Sequence, residues 1–479
     1  VRQFHTTSQV RAAEAPLLAA LPEGALMRRA AHGLARVAAD ELRSRTGGVA
    51  GRSVTLLVGS GDNGGDALWA GAMLRRRGVA VRAVLLDPAR AHGAGLAALR
   101  AAGGRVEAEV GDPDLVLDGI VGISGRGPLR PAAAALVAGV TAPIVAVDLP
   151  SGVDPDTGAT AGPAVTAAVT VAFGALKPVH VLAGARCGRV ELVDIGLDLP
   201  PATIAALTPD EVGAWWPLPG AGDDKYSQGV VGVVAGSDHY PGAAVLCCGG
   251  AVSATSGMVR YAGSAASQVI SHWPEVVAAD GFAEVGRVQA WVVGPGIGTG
   301  DAARELVRAA LASDLPVLVD ADGLTVLAAE PALVAGRTAP TLLTPHAGEF
   351  ARLTGIDPAD DRVGHVRALA ARWGVTVLLK GRSTVIADPD GRVLVNEAGG
   401  SAAATAGSGD VLSGMIGALL STGLDASTAA AMGARAHSLA AALAAGEGSE
   451  VLAPISAGAL SAQVRAAVRI LRARQVLKP

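Results

Sequence analysis

Two identical tetrapeptides, each ending in a carboxylate beside glycine, are the residues of this 479-residue chain whose types and spacing first suggest chemistry. Gly59-Ser60-Gly61-Asp62 lies in VTLLVGSGDNGGDALWAG, and Gly407-Ser408-Gly409-Asp410 in SAAATAGSGDVLSGMIGALL. Glycines in such a loop let backbone N–H groups approach an oxyanion, and a helix start behind them adds its positive dipole end. A carboxylate at the same mouth repels phosphate, so it needs another task, either holding a cation or moving a proton. Around the first copy stand Asp62, Asn63 and Asp66, with strand-end carboxylates at Asp118, before GIVGISGRGP, and Asp148, before LPSGVD. Asn63, Asp118 and the Ser151 region offer oxygens to a hard cation, leaving Asp148 for proton transfer. At the second copy, Asp410 is suited to accept a proton from a hydroxyl that attacks a transferred phosphoryl group.

Other readings of the same residues stay open at this level. GSGDNG at 59–64 satisfies G-x-G-x-x-G and Asp87 follows at the end of the next expected strand, which read literally is a dinucleotide fingerprint of a dehydrogenase or a binding module. The second copy is equally compatible with a kinase for a small hydroxylated vitamin precursor. Lysine is a further clue. It occurs only at 177, 225, 380 and 478, against a large excess of arginine, so a lysine marks a place where a compact point charge is wanted.

These groups need a scaffold, and the pattern supplies one. Apolar runs at 53–58, 79–86, 115–118, 143–148 and 166–173 alternate with Ala-rich amphipathic stretches, the rhythm of a parallel sheet covered by helices on both faces. The pattern breaks over 208–222, where prolines and a Trp pair predict a linker between a domain over 1–207 and another over 223–479. Strand-then-turn segments resume at GVVGVVAGS, QAWVVGPGIG, PVLVDADGL, TLLTPHAGE and VTVLLKGRSTVIADPDGRVLVN, and the chain is helical in pattern after Gly409. The expected fold class is α/β in both halves.

A net charge of −4 carries no footprint for nucleic acid or an anionic membrane. No stretch reads as a membrane span, and the first 24 residues lack the apolar core of an export signal. Three cysteines without a metal or disulfide spacing suit a reducing compartment. A cytoplasmic protein is expected.

The first half, over roughly 10–205, resembles the epimerase domain of NAD(P)H-hydrate repair enzymes, through the DNGGD loop, the strand-end Asp118 and VDLPSG. The family's leading loop Asn is Asp62 here. That resemblance implies a Rossmann-like three-layer domain and potassium held by Asn63, Asp118 and Ser151. It also implies substrate contacts from Asp62, Asn63, Gly64, Gly65 and Asp66 and from Gly122, Ile123, Ser124, Gly125, Arg126, Gly127 and Pro128, with Asp148 as the acid/base and substrate contact. The second half, from about Lys225 to 440, is similar to ADP-dependent NAD(P)H-hydrate dehydratases. It carries KYSQGVVGVVAGSDHYPGAA, VVGPGIG, VLVDADGL, LLTPHAGEFARLTG, LLKGRSTVI and TAGSGDVLSG in that order. This implies a ribokinase-like domain in which Ala243, Gly296, His346 and Asp410 touch the hydrated dinucleotide and Asp410 is catalytic. Lys380, Gly381, Arg382, Ser383, Thr384 and Gly409 would hold the nucleotide. The implied small molecules are NADHX, NADPHX and ADP, with Mg2+ on the nucleotide, in a chain that can assemble as a homo-oligomer such as a tetramer.

Overall fold

The computed structural model describes residues 1–446 and 451–476. It divides into two compact units, Gln3–Thr203 and Ile204–Pro479 with Val1–Arg2. Lys478 lies outside the described residues.

In the first unit the apolar run Ser53–Val58 is the central strand. Its successive side chains point to opposite faces: Leu56 packs with Leu34, Leu42 and Leu74 of the flanking helices, and Leu57 packs with Val116, Ile144 and Ala146. Burial on both faces explains why the strand reads as continuously apolar rather than alternating. The sheet order is Arg105–Val106, Ala80–Leu85, Ser53–Val58, Leu115–Gly119, Ile144–Val147, Val169–Phe173, Arg189–Val193, with every pair parallel. From Ser53–Val58 the chain builds outward on one side, then returns to build on the other. The crevice beyond the carboxyl ends of Ser53–Val58 and Leu115–Gly119 is therefore the topological switch point, where open α/β sheets bind ligands. The strand expected to end at Asp87 ends at Leu85, and Asp87 lies in the bend that follows.

The second unit is also a mainly parallel sheet. Its order runs Ile204–Ala206, Val393–Glu397, Ser383–Ala387, Thr376–Leu379, Thr341–Leu343, Val317–Val319, Ala290–Val293, Val230–Val234, Met258–Ala262, Val277–Ala279. Only the two pairings made by Ser383–Ala387 are antiparallel, joined on one side by the turn at Asp388–Gly391. The switch point falls between Val230–Val234 and Ala290–Val293. The helix Ser408–Ser421 approaches Pro241–Ala254 so closely that a Cβ on Gly414 would stand 1.9 Å from the Cys247 carbonyl oxygen, which is why glycine occupies that position. Cys247 and Cys248 are fully buried there as small apolar groups.

The first half of the segment expected to be a linker is folded. Pro209–Trp215 is a helix, with Val212 and Trp216 buried in the second unit's core and the Trp216 indole N–H donated to the Ala254 carbonyl. Thr208 caps it, Glu211 closes a capping box and Pro209 takes the first turn. The prolines that suggest a break are thus start signals. Among the described residues no helix is long and apolar enough to cross a membrane.

Candidate active sites

The switch-point crevice of the first unit is a cavity of about 670 Å³. The loop 59–62 forms one wall and 120–130 another, with Asp148, Phe173 and Lys177 at the sheet and Val10 and Glu14 from the helix Thr7–Ala20. Gly59 is obligatory, because an added Cβ would stand 1.8 Å from the Ile120 carbonyl oxygen. Asp62, Asn63 and Asp66 line the cavity, as do 122–128 and Asp148. Gly64 and Gly65 do not reach it and pack against Gly59 and Met27.

Asp148 is one of only two non-glycine residues with positive φ among the described residues, at +66°. Such strain costs about 1–3 kcal/mol and persists only where the surroundings over-determine it. Here they do. Its N–H donates to the Val171 carbonyl at 2.8 Å, and its Oδ1 accepts from the Phe173 N–H at 3.1 Å and from Lys177 Nζ at 2.6 Å. Its carbonyl meets His180 Nε2 at 2.8 Å, while His180 Nδ1 meets the Lys177 N–H at 2.9 Å. An N–H can only donate and a carbonyl only accept, so His180 is the tautomer with its hydrogen on Nε2. Lys177, 1% exposed, also donates to the Phe173 and Ala175 carbonyls. With three acceptors for its three N–H groups, the ammonium is a fixed charge set against Asp148.

Asp66 faces the same cavity. Burial, then the charges of Asp148, Asp62 and Glu14, raise its carboxyl well above the ordinary range, and its Oδ1 has no partner. Behind the wall, Asp118 is fully buried. It accepts from the Ser151 N–H and hydroxyl and from the Ile120 N–H, yet burial still pushes its pKa up to about 6. Asn63 lies against Gly122, its Nδ2 unpartnered. Asp118 and the Ser151 hydroxyl form a buried oxygen pair with no salt bridge to Asp118 among the described residues, a donor chemistry that fits a hard monovalent cation, to which the Asn63 side chain would add its Oδ1.

In the second unit, Gly407 turns at φ +81° and caps Ser408–Ser421, which puts Asp410 in the first helical turn. Burial, then the charge of Asp320, raises Asp410 to about 7, against the lowering effect of Lys380. Lys380 Nζ donates to Asp320 Oδ1 at 2.7 Å and lies 3.6 Å from Glu349, and the Ser413 hydroxyl donates to Asp320 Oδ2 at 2.7 Å. Burial presses the ammonium down, but Asp320 and Glu349 hold it net above its ordinary value. Gly409 stands beside this ammonium with no side chain to block it.

The other sequence-nominated residues surround this centre. Ala243 and Gly296 touch, Gly296 at φ +66°, and the loop that follows is tied to the centre by the Gly298 N–H to Asp322 Oδ2 bond at 2.9 Å. His346 caps its helix, Nδ1 accepting from the Gly348 and Glu349 N–H groups, and its exposed Nε2 edge, 3.5 Å from Glu349 Oε1, is the part that can meet a ligand. In the 380–384 hairpin Thr384 donates to the Gly381 carbonyl and Arg382 to the Gly399 carbonyl. The carboxylates nearest Asp410 are already engaged by Lys380, Ser413, the His346 N–H and the Gly298 N–H. That arrangement fits a magnesium ion that arrives on nucleotide phosphates and keeps its waters, rather than a dedicated protein cage.

Sequence reasoning missed several members of both sites. Asp320 and Asp322 sit inside the quoted VLVDADGL, where two carboxylates at a strand end were the available signal. Glu14, His180 and Ser413 carried none, nor did His437, which meets the Ser408 carbonyl through Nε2 at 2.9 Å and is held neutral by burial, at about 4.

Comparison with known proteins agrees with both halves. A family described as YjeF-related protein N-terminus matches residues 23–179, and one described as NAD(P)H-hydrate dehydratase matches 231–459. The chain is 61% identical over 475 residues to a protein of Mycobacterium leprae named bifunctional NAD(P)H-hydrate repair enzyme Nnr, covering 98% of this chain and 100% of that one. A protein of the same name from Gloeobacter violaceus is 39% identical over 456 residues, covering 86% of this chain and 88% of that one. Among solved structures, a ribokinase-like superfamily protein from Enterococcus faecalis shares the second unit's fold, with a TM-score of 0.50 and 20% identity over 57% of this chain and 98% of that one. The chain belongs to the family of bifunctional NAD(P)H-hydrate repair enzymes.

Proposed function

We propose that the first unit interconverts the R and S epimers of NAD(P)H hydrate and that the second dehydrates the S epimer, converting ADP to AMP and phosphate. The observation that carries this reading is the centre around Asp410. A carboxyl group raised to about 7 stands in the first turn of an amide-rich helix start, beside the half-buried ammonium of Lys380. The amides and Lys380 suit phosphate, and Asp410 suits a proton acceptor working near neutral pH.

In this reading Asp410 takes the proton of the ring hydroxyl as its oxygen attacks the β-phosphoryl group of ADP, and AMP leaves. The phosphorylated ring then loses phosphate with the C–O electron pair and a proton from the adjacent carbon, which restores the dihydronicotinamide. Phosphorylation turns a poor leaving group into a good one. Lys380, Gly381, Arg382, Ser383, Thr384 and Gly409 hold the nucleotide, while Ala243, Gly296 and His346 orient the hydrate. Asp320 and Asp322 supply the nearest carboxylates to magnesium, which when bound neutralises phosphate charge.

In the first unit Asp148 moves the proton, and Asp62, Asn63 and Asp66 with 122–128 hold the dinucleotide. Asn63, Asp118 and Ser151 would hold potassium, which when bound offsets the buried Asp118 charge and braces the two loops. A cytoplasmic location and assembly as a homo-oligomer such as a tetramer belong to the same proposal. The test follows ADP labelled in its β-phosphate. Label must appear in inorganic phosphate in step with NADH, whereas a stable phosphorylated product would make the second unit a kinase.

A further inference from the structure

The helix Thr7–Ala20 contributes Val10 and Glu14 to the first cavity and is fastened to the 120–130 wall and to Asp156. The Thr7 N–H and hydroxyl donate to Asp156 at 2.8 and 2.7 Å, and Arg11 donates to Ser124 at 3.1 Å. Val10, 1% exposed, plugs the inner face of this helix. Glu14 is one turn further on the same face, since residues four apart on a helix are neighbours, and Val10 and Glu14 both line the cavity. A carboxyl group thus enters the pocket from the helix side, while Asp148 enters from the sheet.

We infer that Glu14 is the second proton-transfer group of this pocket, working with Asp148 from the other side of the bound ring. The inference rests on the proposed epimerase reading. Hydration of a dihydronicotinamide puts the hydroxyl on the carbon next to the ring nitrogen, and inversion there needs an acid on one face and a base on the other. One carboxyl group protonates the hydroxyl, and the C–O bond breaks with its electron pair leaving on water. The nitrogen lone pair forms the iminium, and a water molecule adds to the opposite face as the second carboxylate takes its proton. One proton enters and one leaves, nothing is oxidised or reduced, and the return direction exchanges the two roles.

The charge pattern agrees with this division. Lys177 is bonded to Asp148 and spends its remaining hydrogens on carbonyls, and among the described residues no ammonium or guanidinium is paired directly with Glu14. Burial, opposed by Lys177 and reinforced by Asp148 and Asp62, raises the Glu14 carboxyl above its usual range, which favours its service as the acid. Asp66 lies deeper and is 8% exposed.

The test uses the full chain without ADP, so that only the first unit turns over, and follows conversion of purified R epimer to S by chromatography. Glu14→Gln should lower kcat by about 100-fold or more with KM unchanged, and Glu14→Asp should recover part of the loss. Incorporation of 18O from labelled water into the ring hydroxyl should fall in parallel with epimerisation. A Glu14→Gln chain that epimerises at the wild-type kcat, or loses rate through KM alone, overturns the inference and leaves the epimerase reading intact. A wild-type chain that leaves the epimer ratio unchanged overturns both.

Discussion

At Gly59 the backbone leaves a parallel strand pressed against the Ile120 carbonyl, whereas at Gly407 it turns in the left-handed region and opens a helix with no strand behind it. The aspartates that follow meet different surroundings. Asp62 stands at the mouth of a cavity whose ammonium, Lys177, is committed to Asp148. Asp410 is itself a half-buried carboxyl group, with Lys380 committed to Asp320 and facing it. One tetrapeptide thus walls a proton-transfer pocket while the other carries the proton acceptor of a phosphate site. Each unit also holds one strained non-glycine residue at a strand end beside its centre: Asp148 at φ +66°, and Ala321 at φ +50° next to Asp320. Shared sequence did not produce shared chemistry, because the neighbours supplied by the rest of each sheet differ.

The sharpest way to break this comparison is at the two proposed proton carriers. Asp410→Asn should cost about 100- to 10,000-fold in ADP-dependent NADH recovery, read by absorbance, because no other group takes the hydroxyl proton. Asp148→Asn should cost about 100-fold or more in R-to-S conversion yet leave dehydration of the S epimer at the wild-type rate. If either substitution silences both reactions, the two stretches are not independent. Lys177→Met should destabilise the first unit by about 3–5 kcal/mol, since it strands a buried carboxylate, and the second unit's unfolding transition should not move.

A pH series sharpens the contrast. Asp410 must be ionised to act, and its folded-state value is about 7. The kcat/KM for S-epimer dehydration should therefore fall as pH drops through about 7, approaching tenfold per unit below it. The stability sign is opposite. Burial favours the protonated form, so the native state binds the extra proton and the second unit loses stability as pH rises from the ordinary carboxyl range to about 7. Asp410→Asn should flatten that slope. The smallest effect is at Ala321, where glycine would relieve the positive φ and raise stability by about 1 kcal/mol, measured by denaturant midpoint.

The layered α/β scaffold was legible, because strands buried on both faces announce themselves as apolar runs. Those expected at 53–58 and 143–148 appear as Ser53–Val58 and Ile144–Val147. The helix at Pro209–Trp215 was legible in principle but lost to its prolines. The strand-end carboxylates and glycine loops could be nominated from sequence, since each is a local motif. Their partners could not. Lys177 reaches Asp148 across 29 positions and Lys380 reaches Asp320 across 60, so only the sheet order brings them together. Scarcity of lysine was the one hint. Strain at Asp148 and Ala321 is likewise invisible locally, because alanine seldom takes positive φ and aspartate, though enriched there, does so at only a small minority of positions.

The most direct test mixes the full chain with epimeric NADH hydrate, potassium and magnesium, and follows NADH absorbance with and without ADP for wild type and Asp148→Asn. The account predicts complete recovery by wild type only with ADP, and by Asp148→Asn a fast phase that stops once the S epimer is spent. Recovery of the whole mixture by Asp148→Asn at the wild-type rate, or any wild-type recovery without ADP, would contradict it.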